Sequence, residues 1–422
     1  MDADLLNTLH RLSADAEEEL VARLSRLVQV PSPNPPGEYE PIADAVREML
    51  RDLGYQVEFV DAPEAEVRQA GLRAPRRNVI GGLGGTGDPA RTIILNAHID
   101  TVPVVSPERW TYPPFSGAVA DGRVWGRGAV DSKARMVSYA MAPILLRRAG
   151  VSPAGTVLCA FTCDEETGGD LGAGYLVRSG RLRGDAAVVE GYNSPIIRAA
   201  AGLLRTDIHI EGKAAHASRP DLGVNAIEPL GTLIPPLLAL RDELTERRSE
   251  IAGMGHTTLS LGVVSGGVKV NVVPDRCTLS IDCRVIPEVD PQQVVGRIRA
   301  IAAAAEARHP GIHVHVAVVR TAAPTRLAED HPVVQGLARA CRQVLGRPVP
   351  IEGETGGTDA RWFNAGGIPA ANYGPGRMES GNYHGVDEHV EIADLVEATD
   401  VLAVFLAEFV SGGADGAAPA ER

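Results

Sequence analysis

Apolar residues recur at helical spacing through residues 14–29, where Leu20, Leu24, Leu27 and Val28 share a face and Glu17, Glu18 and Glu19 fill the first turn. The pattern predicts a helix there. The run Val30-Pro31-Ser32-Pro33-Asn34-Pro35-Pro36-Gly37 stops it, because its prolines remove backbone donors. A second helix is predicted over about Glu40–Leu53, followed by strands at Val57–Val60 and Asn78–Gly81. Three later runs, Arg91–His98, Gly155–Thr162 and Ala186–Glu190, are apolar without alternation, the pattern of strands buried on both faces of a sheet. Helices predicted over Ser132–Ala149 and Gly172–Ser179 separate them, so the first 195 residues read as an α/β layer domain.

The rhythm then changes. Gly202–Glu211 alternates as a half-buried strand does. A helix over Asn225–Glu246 carries Pro235 and Pro236, which predict two pieces or a kink. Strands at Thr257–Val264 and Arg276–Arg284, a helix at Pro291–Arg308 and a strand at Gly311–Val319 complete a β-α-β-β-α-β order, the ferredoxin-like pattern. A helix over Pro332–Leu345, a strand over Ile368–Tyr373 and a helix over Ile392–Val410 return to α/β character. The expected organisation is an α/β domain over 1–195 and 323–410. An α+β ferredoxin-like domain is inserted over 196–322, and a disordered small-residue tail covers 411–422.

Charge narrows the partners. With 41 Lys+Arg against 54 Asp+Glu the net charge is -13, which argues against nucleic acid or an anionic membrane surface. No apolar stretch reaches the length of a membrane span. Five cysteines, an odd number scattered along the chain, fit a reducing compartment, and the acidic N-terminus lacks the basic start of a signal peptide; a cytoplasmic protein is expected.

Several segments place metal-binding side chains at the ends of predicted strands or in late loops, where ligands of open α/β sheets gather. His98-Ile99-Asp100 closes a strand with an imidazole and a neighbouring carboxylate, or is a strand-end His beside a turn Asp. Asp131, in Gly126-Arg127-Gly128-Ala129-Val130-Asp131-Ser132-Lys133, could present a carboxylate to a metal or cap the following helix. Asp164-Glu165-Glu166 packs three acids at the end of a buried strand, where mutual repulsion calls for a divalent cation unless the turn is solvated. Two of them could divide metal binding and general-base work. Glu190 ends a strand, and His384 lies in the loop Tyr383–Glu388; each alone reads as solvated. Together they form a mixed nitrogen and oxygen set suited to zinc, cobalt or manganese and too oxygen-rich for structural zinc. His216, in the inserted domain, could serve as an oxyanion donor or be an exposed loop His. Cys159 and Cys163 read as core. Gly82-Leu83-Gly84-Gly85-Thr86-Gly87 matches a dinucleotide fingerprint in letters only, because a strand and not a helix is predicted after it.

In order along nearly the whole chain, these motifs resemble those of the M20 metallopeptidase family, which includes acetylornithine deacetylase, succinyl-diaminopimelate desuccinylase, aminoacylase-1 and glutamate carboxypeptidase. The matching segments are Val30–Gly37, Asn96–Pro103, Trp125–Lys133, Asp164–Glu166, Gly212-Lys213-Ala214-Ala215-His216, Gly356–Arg361 and Tyr373–Gly376. The resemblance implies a two-metal site, with zinc expected first and cobalt or manganese as alternatives. His98, Asp131 and Glu190 would hold one ion, and Asp131, Glu166 and His384 the other, with Asp131 bridging. Asp100 would orient His98, Glu165 would activate a metal-bridging water, and His216 would donate to the oxyanion. Asn271 and Arg284 match positions near a substrate carboxylate, and the backbone of Gly357 and Thr358 would line the same pocket. The expected activity is hydrolysis of the amide of an N-acyl amino acid. The alternatives are a dipeptidase or carboxypeptidase of the same family, and a catalytically silent relative that binds metal or an amino acid. The resemblance also implies that the α/β part is a catalytic domain built on a mixed sheet and that the inserted domain is a lid through which a homodimer forms. Three motifs depart from the family's usual forms: Asp131-Ser132-Lys133-Ala134 for D-M-K-G, Glu190-Gly191 for E-P or D-P, and Tyr383-His384 for A-H.

Overall fold

A computed structural model describes residues 1–72, 75–84, 91–152 and 154–410. The expected tail over 411–422, and residues 85–90, which include the last three positions of the glycine-rich fingerprint, lie outside the described residues. The chain groups into two compact units, one of Met1–Arg198, Leu327–Ile351 and Thr358–Arg422, the other of Ala199–Arg326 and Glu352–Gly357.

The first unit is built on a mixed sheet. Its strand order is Gln56–Asp61, Arg77–Leu83, Thr156–Thr162, Thr92–His98, Ala186–Val189, Ala370–Asn372, then Ile196–Ala200, which joins through Ile197. The four central strands run parallel and the flanking pairs antiparallel. The apolar runs are buried on both faces, as their lack of alternation requires. Ile93, Leu95 and Ala97 face one core, with the helices Ala3–Asp15, Glu17–Val28, Glu40–Asp52, Ala134–Arg148, Pro332–Leu345 and Ile392–Val410. Ile94, Ala160, Ala187 and Val189 face the other, with Ala173–Arg178 and Ala360–Ala365. A small antiparallel sheet of Ala118–Ala120, Arg123–Trp125 and His389–Glu391 pairs Trp125 with His389.

The second unit has four antiparallel strands in the order Thr258–Gly266, Arg276–Val285, Gly202–Glu211, His313–Ala322. Its core of Ile208, Ile210, Leu279 and Ile281 is covered by Leu233, Leu237 and Ile298 of the helices Leu230–Glu246 and Pro291–Arg308, giving the β-α-β-β-α-β order.

Three local expectations change. The N-terminal helix is preceded by another, Ala3–Asp15, whose Leu5, Leu9 and Leu12 continue the apolar spacing and whose Asp2 side chain caps it. The helix with Pro235 and Pro236 runs unbroken over Leu230–Glu246, because burial of Leu233, Leu237 and Leu240 on one face outweighs two missing backbone donors. It starts later than Asn225, whose side chain instead closes a turn onto the Ile227 amide. Asp131 does not cap a helix. It lies in an irregular turn, Ala129–Lys133, with φ -123° and ψ 89°, and the regular helix begins at Ala134.

Candidate metal centre and active site

Register in the parallel sheet brings the candidate residues to one edge. His98 is level with Thr162, so the turn carrying Asp164, Glu165 and Glu166 emerges beside Asp100. Asn96 is level with Val189, and the next residue, Glu190, donates its amide to the Asn96 carbonyl at 3.0 Å. Asn372 is level with Val189 on the other side and donates through its side chain to the Glu190 carbonyl.

Asp131 lies between two histidines. Its Oδ1 is 3.2 Å from His98 Nε2, and its Oδ2 is 3.3 Å from His384 Nε2. His384 Nε2 also sits 3.3 Å from Glu166 Oε2. One ligand atom each from His98, Asp131 and Glu166 falls within 4.8 Å of the others, the spacing of a metal-binding group. His98 Nδ1 lies 2.9 Å from the Asp100 carbonyl oxygen, which can only accept. The Nδ1 proton is thereby fixed and Nε2 is left to face Asp131. The Asp100 carboxylate is 3.6 Å from that nitrogen and accepts instead from the backbone amides of Glu165 and Glu166, at 3.2 Å each. Asp100 therefore ties the acidic turn to the histidine.

Two further charges shape the loops. The Glu388 carboxylate, ion-paired with Arg127, accepts from the Val130 and Asp131 amides at 3.3 and 3.1 Å. Arg127 also donates to the carbonyls of His384 and Gly385. This buried pair holds the Asp131 turn and the His384 loop together. Arg135 donates to Asp131 Oδ1 at 2.9 Å.

The three acids of the turn separate. Asp164, with φ 63°, accepts from Tyr39 at 2.6 Å and Asn34 at 3.1 Å, and pairs with Arg76 at 2.9 Å. Glu165 is half-buried and shares its electrostatic surroundings with His98, Asp359, Glu190 and Glu166. Burial, reinforced by those carboxylates, holds the Glu165 carboxyl well above its ordinary range despite His98. Burial and the charge of Asp359 push Glu190 up to about 8. Burial would raise Asp131 too, but hydrogen bonds from both histidines and the charge of Arg135 bring it well below the carboxylate range.

The donor set fits divalent metal ions. Glu166 Oε1, Glu190 Oε2 and Asp359 Oδ1 are buried and accept no hydrogen bond among the described residues. Such carboxyl oxygens, left without a donor beside imidazole nitrogens, are a destabilising arrangement that cations relieve. Zinc, cobalt and manganese all accept this mixture of nitrogen and oxygen donors.

The remaining candidates divide between the units. Thr358 belongs to the first, where its hydroxyl accepts from Asn372 at 2.8 Å. Gly357, His216, Asn271 and Arg284 belong to the second. There the Asn271 carbonyl accepts from the Ala217 amide, next to the exposed His216, and Arg284 pairs with Asp282 at 3.0 Å. Five contributors escape the sequence reading: Asn34, Arg127, Arg135, Asp359 and Glu388. Four of them sit inside segments singled out above and Arg135 directly follows one, and the available signal is a charged residue in a stretch of small ones, such as Arg127 between Gly126 and Gly128.

A layered α/β fold that gathers two histidines and several carboxylates at its strand ends and in neighbouring loops is that of a hydrolase of the metal-dependent kind. Residues 94–408 match the family described as peptidase family M20/M25/M40, and the chain belongs to it. It is 30% identical over 373 residues to an acetylornithine deacetylase of Myxococcus xanthus, covering 84% of this chain and 93% of that one. It is 26% identical over 420 residues to an N-formyl-4-amino-5-aminomethyl-2-methylpyrimidine deformylase of Halalkalibacterium halodurans, covering 93% and 95%. Its fold is also that of an M20 family metallo-carboxypeptidase from Sulfolobus solfataricus, with TM-score 0.74 and 20% identity over 92% of this chain and 98% of that one. No helix among the described residues is long and apolar enough to cross a membrane.

Proposed function

We propose that the chain is a dinuclear metal amidohydrolase that removes the acyl group from an N-acyl amino acid. The observation that carries the reading is Asp131, which gives one oxygen to each histidine as a bridging carboxylate does. His98, Asp131 and Glu190 would hold one ion, and Asp131, Glu166 and His384 the other, zinc being the first candidate and cobalt or manganese the next. Bound there, such ions acidify water and polarise an amide carbonyl.

The protein's own groups do the rest. Glu165 takes the proton of the attacking water and returns it to the leaving amine, a task suited to a carboxyl whose pKa burial has raised. Asp100 keeps Glu165 and Glu166 in register with His98 through their amides. In His216, Nδ1 accepts from the Ser218 amide at 3.1 Å, so the neutral ring carries its proton on Nε2 and can donate to a developing oxyanion. Asn271, Arg284 and the backbone of Gly357 and Thr358 would take the substrate carboxylate. The partner is a small N-acyl amino acid, and a homodimer through the inserted domain and a cytoplasmic location complete the reading. Five buried cysteines without a disulfide support that location.

Acyl removal is favoured over peptide cleavage because both curated relatives are named for it, one as a deacetylase and one as a deformylase. The Sulfolobus metallo-carboxypeptidase favours the second reading, a carboxypeptidase or dipeptidase. A panel of N-acetyl and N-succinyl amino acids and of dipeptides, assayed with zinc or cobalt and again with a chelator, separates them. Chelator-sensitive cleavage of the acyl amino acids is expected. Cleavage of dipeptides alone selects the second reading, and two bound metals with no cleavage of either class would leave a silent binding protein. His216→Ala should lower kcat about a hundredfold; a change confined to KM removes the oxyanion role.

A further inference from the structure

Arg135 is a buried cation set directly against the metal-ligand cluster, at 2% exposure. Its NH1 donates to Asp131 Oδ1 at 2.9 Å, the oxygen that also faces His98 Nε2. Asp131 is the one carboxylate the described residues place within ion-pair distance of it. The rest of its fork is tied down on neutral groups. Nε donates to the Gly191 carbonyl at 2.9 Å, and NH2 donates to the Tyr383 hydroxyl at 3.1 Å. The guanidinium carbon also lies 5.9 Å from the Tyr192 ring centre and 5.6 Å from that of Tyr383.

Gly191 and Tyr383 are two of the three motif departures noted above, and Arg135 directly follows the third, Ala134. A Cβ on Gly191 would meet the Tyr373 amide nitrogen at 2.6 Å, and one on Gly374 would press on Arg135 Cγ at 3.0 Å. The cation is therefore packed and hydrogen-bonded in place and cannot swing away when another cation arrives. Nor can it shed its charge, since arginine stays protonated in proteins.

Its placement is asymmetric. Arg135 binds the Asp131 oxygen on the His98 side, whereas Oδ2, on the His384 and Glu166 side, is free of it. A fixed positive charge sharing a carboxylate oxygen weakens that oxygen as a metal donor and repels an ion placed there, in a site where burial leaves little screening. We propose that Arg135 makes the two halves of the metal site unequal, so that the ion held by His98 and Glu190 binds at least tenfold more weakly than the ion held by Glu166 and His384. The inference rests on the two-metal reading of the preceding subsection and adds to it an order of filling.

The test is calorimetric titration of the chelator-stripped full chain with Zn2+, with fold integrity followed by thermal melting. The unaltered chain should take up two ions in two steps separated by tenfold or more in Kd. Arg135→Gln or Arg135→Met, whichever keeps a native melting transition, should tighten the weaker step tenfold or more and narrow the gap. Arg135→Lys should keep it. His98→Ala should abolish the weaker step and His384→Ala the tighter one. Two equal sites in the unaltered chain, an unchanged gap in a folded neutral variant, or the opposite assignment of the two steps each overturns the proposal while leaving the two-metal reading intact. Uptake of no metal overturns that reading and this inference with it.

Discussion

Asp164 and Glu190 follow the parallel strands on either side of Thr92–His98 and are buried to a similar degree, yet their surroundings are opposite. Asp164 receives a tyrosine hydroxyl, an asparagine amide and an arginine, and its carboxyl stands at about 6, raised by burial against the pull of Tyr39 and Arg76. Glu190 accepts one long amide bond from Asp359, leaves Oε2 without a partner, and is pushed by burial up to about 8. The protein compensates one buried acid with its own donors and leaves an oxygen of the other without one. Compensation, not burial or residue type, is what differs between the two, and under the proposed two-metal reading it separates a structural carboxylate from a metal ligand.

The largest effect expected from a single change lies between these two groups, at Glu165. Glu165→Ala should retain both metals and lower kcat by about 10^3 or more, near the upper end of what a positioned proton acceptor supplies. Near-normal turnover would break the division of labour in the acidic turn. Next in size is the compensated side. Arg76→Met leaves Asp164 buried and unpaired and should cost about 3–5 kcal/mol of stability, read as a fall in melting temperature without loss of metal stoichiometry. Loss of the metals with little change in stability would place Asp164 among the functional acids.

The uncompensated side should behave in the reverse sense. Glu190→Gln replaces a buried carboxyl whose Oε2 has no hydrogen-bond partner among the described residues, so the metal-free protein should melt at the same temperature or higher. Its metal affinity should fall tenfold to a hundredfold or beyond, a range that even residues supporting a ligand command. A destabilised metal-free variant with unchanged affinity would show that Glu190 is held by contacts and not by an ion.

Much of this was legible in the chain. The buried parallel strands announce themselves by apolar runs without alternation, and their ends place His98, the acidic turn and Glu190 together by simple topology. The inserted unit's strand and helix order shows in its change of rhythm. What could not be read is which of three consecutive acids turns toward the cluster, since that depends on the left-handed backbone at Asp164 and on Arg76, far off in sequence just before the Arg77–Leu83 strand. Asp131 misled for a related reason. Its sequence context is that of a helix cap, and only the tertiary grip of Glu388 on its amide explains why the helix starts three residues later. Arg135 is silent in sequence, because a lone arginine after Asp-Ser-Lys-Ala gives no hint that the Gly191 carbonyl and the Tyr383 hydroxyl accept from it.

The smallest effect is a pH dependence. Burial raises the Glu190 carboxyl to about 8 from an unfolded value of 4.5, so the folded, metal-free protein binds a proton there that the unfolded chain has already lost. Stability from this group is fully present below pH 4.5 and is lost as pH rises toward 8. Metal binding runs the other way, since the ion needs the ionised carboxylate and must displace that proton below pH 8. Between pH 6 and 8 the apparent metal affinity should therefore climb with pH, by up to about tenfold per unit for each proton released. Over the same interval the metal-free melting temperature should decline, and Glu190→Gln should flatten that decline. Parallel pH profiles in the two proteins would mean that Glu190 is ionised before any metal arrives, and the contrast with Asp164 would then rest on geometry alone.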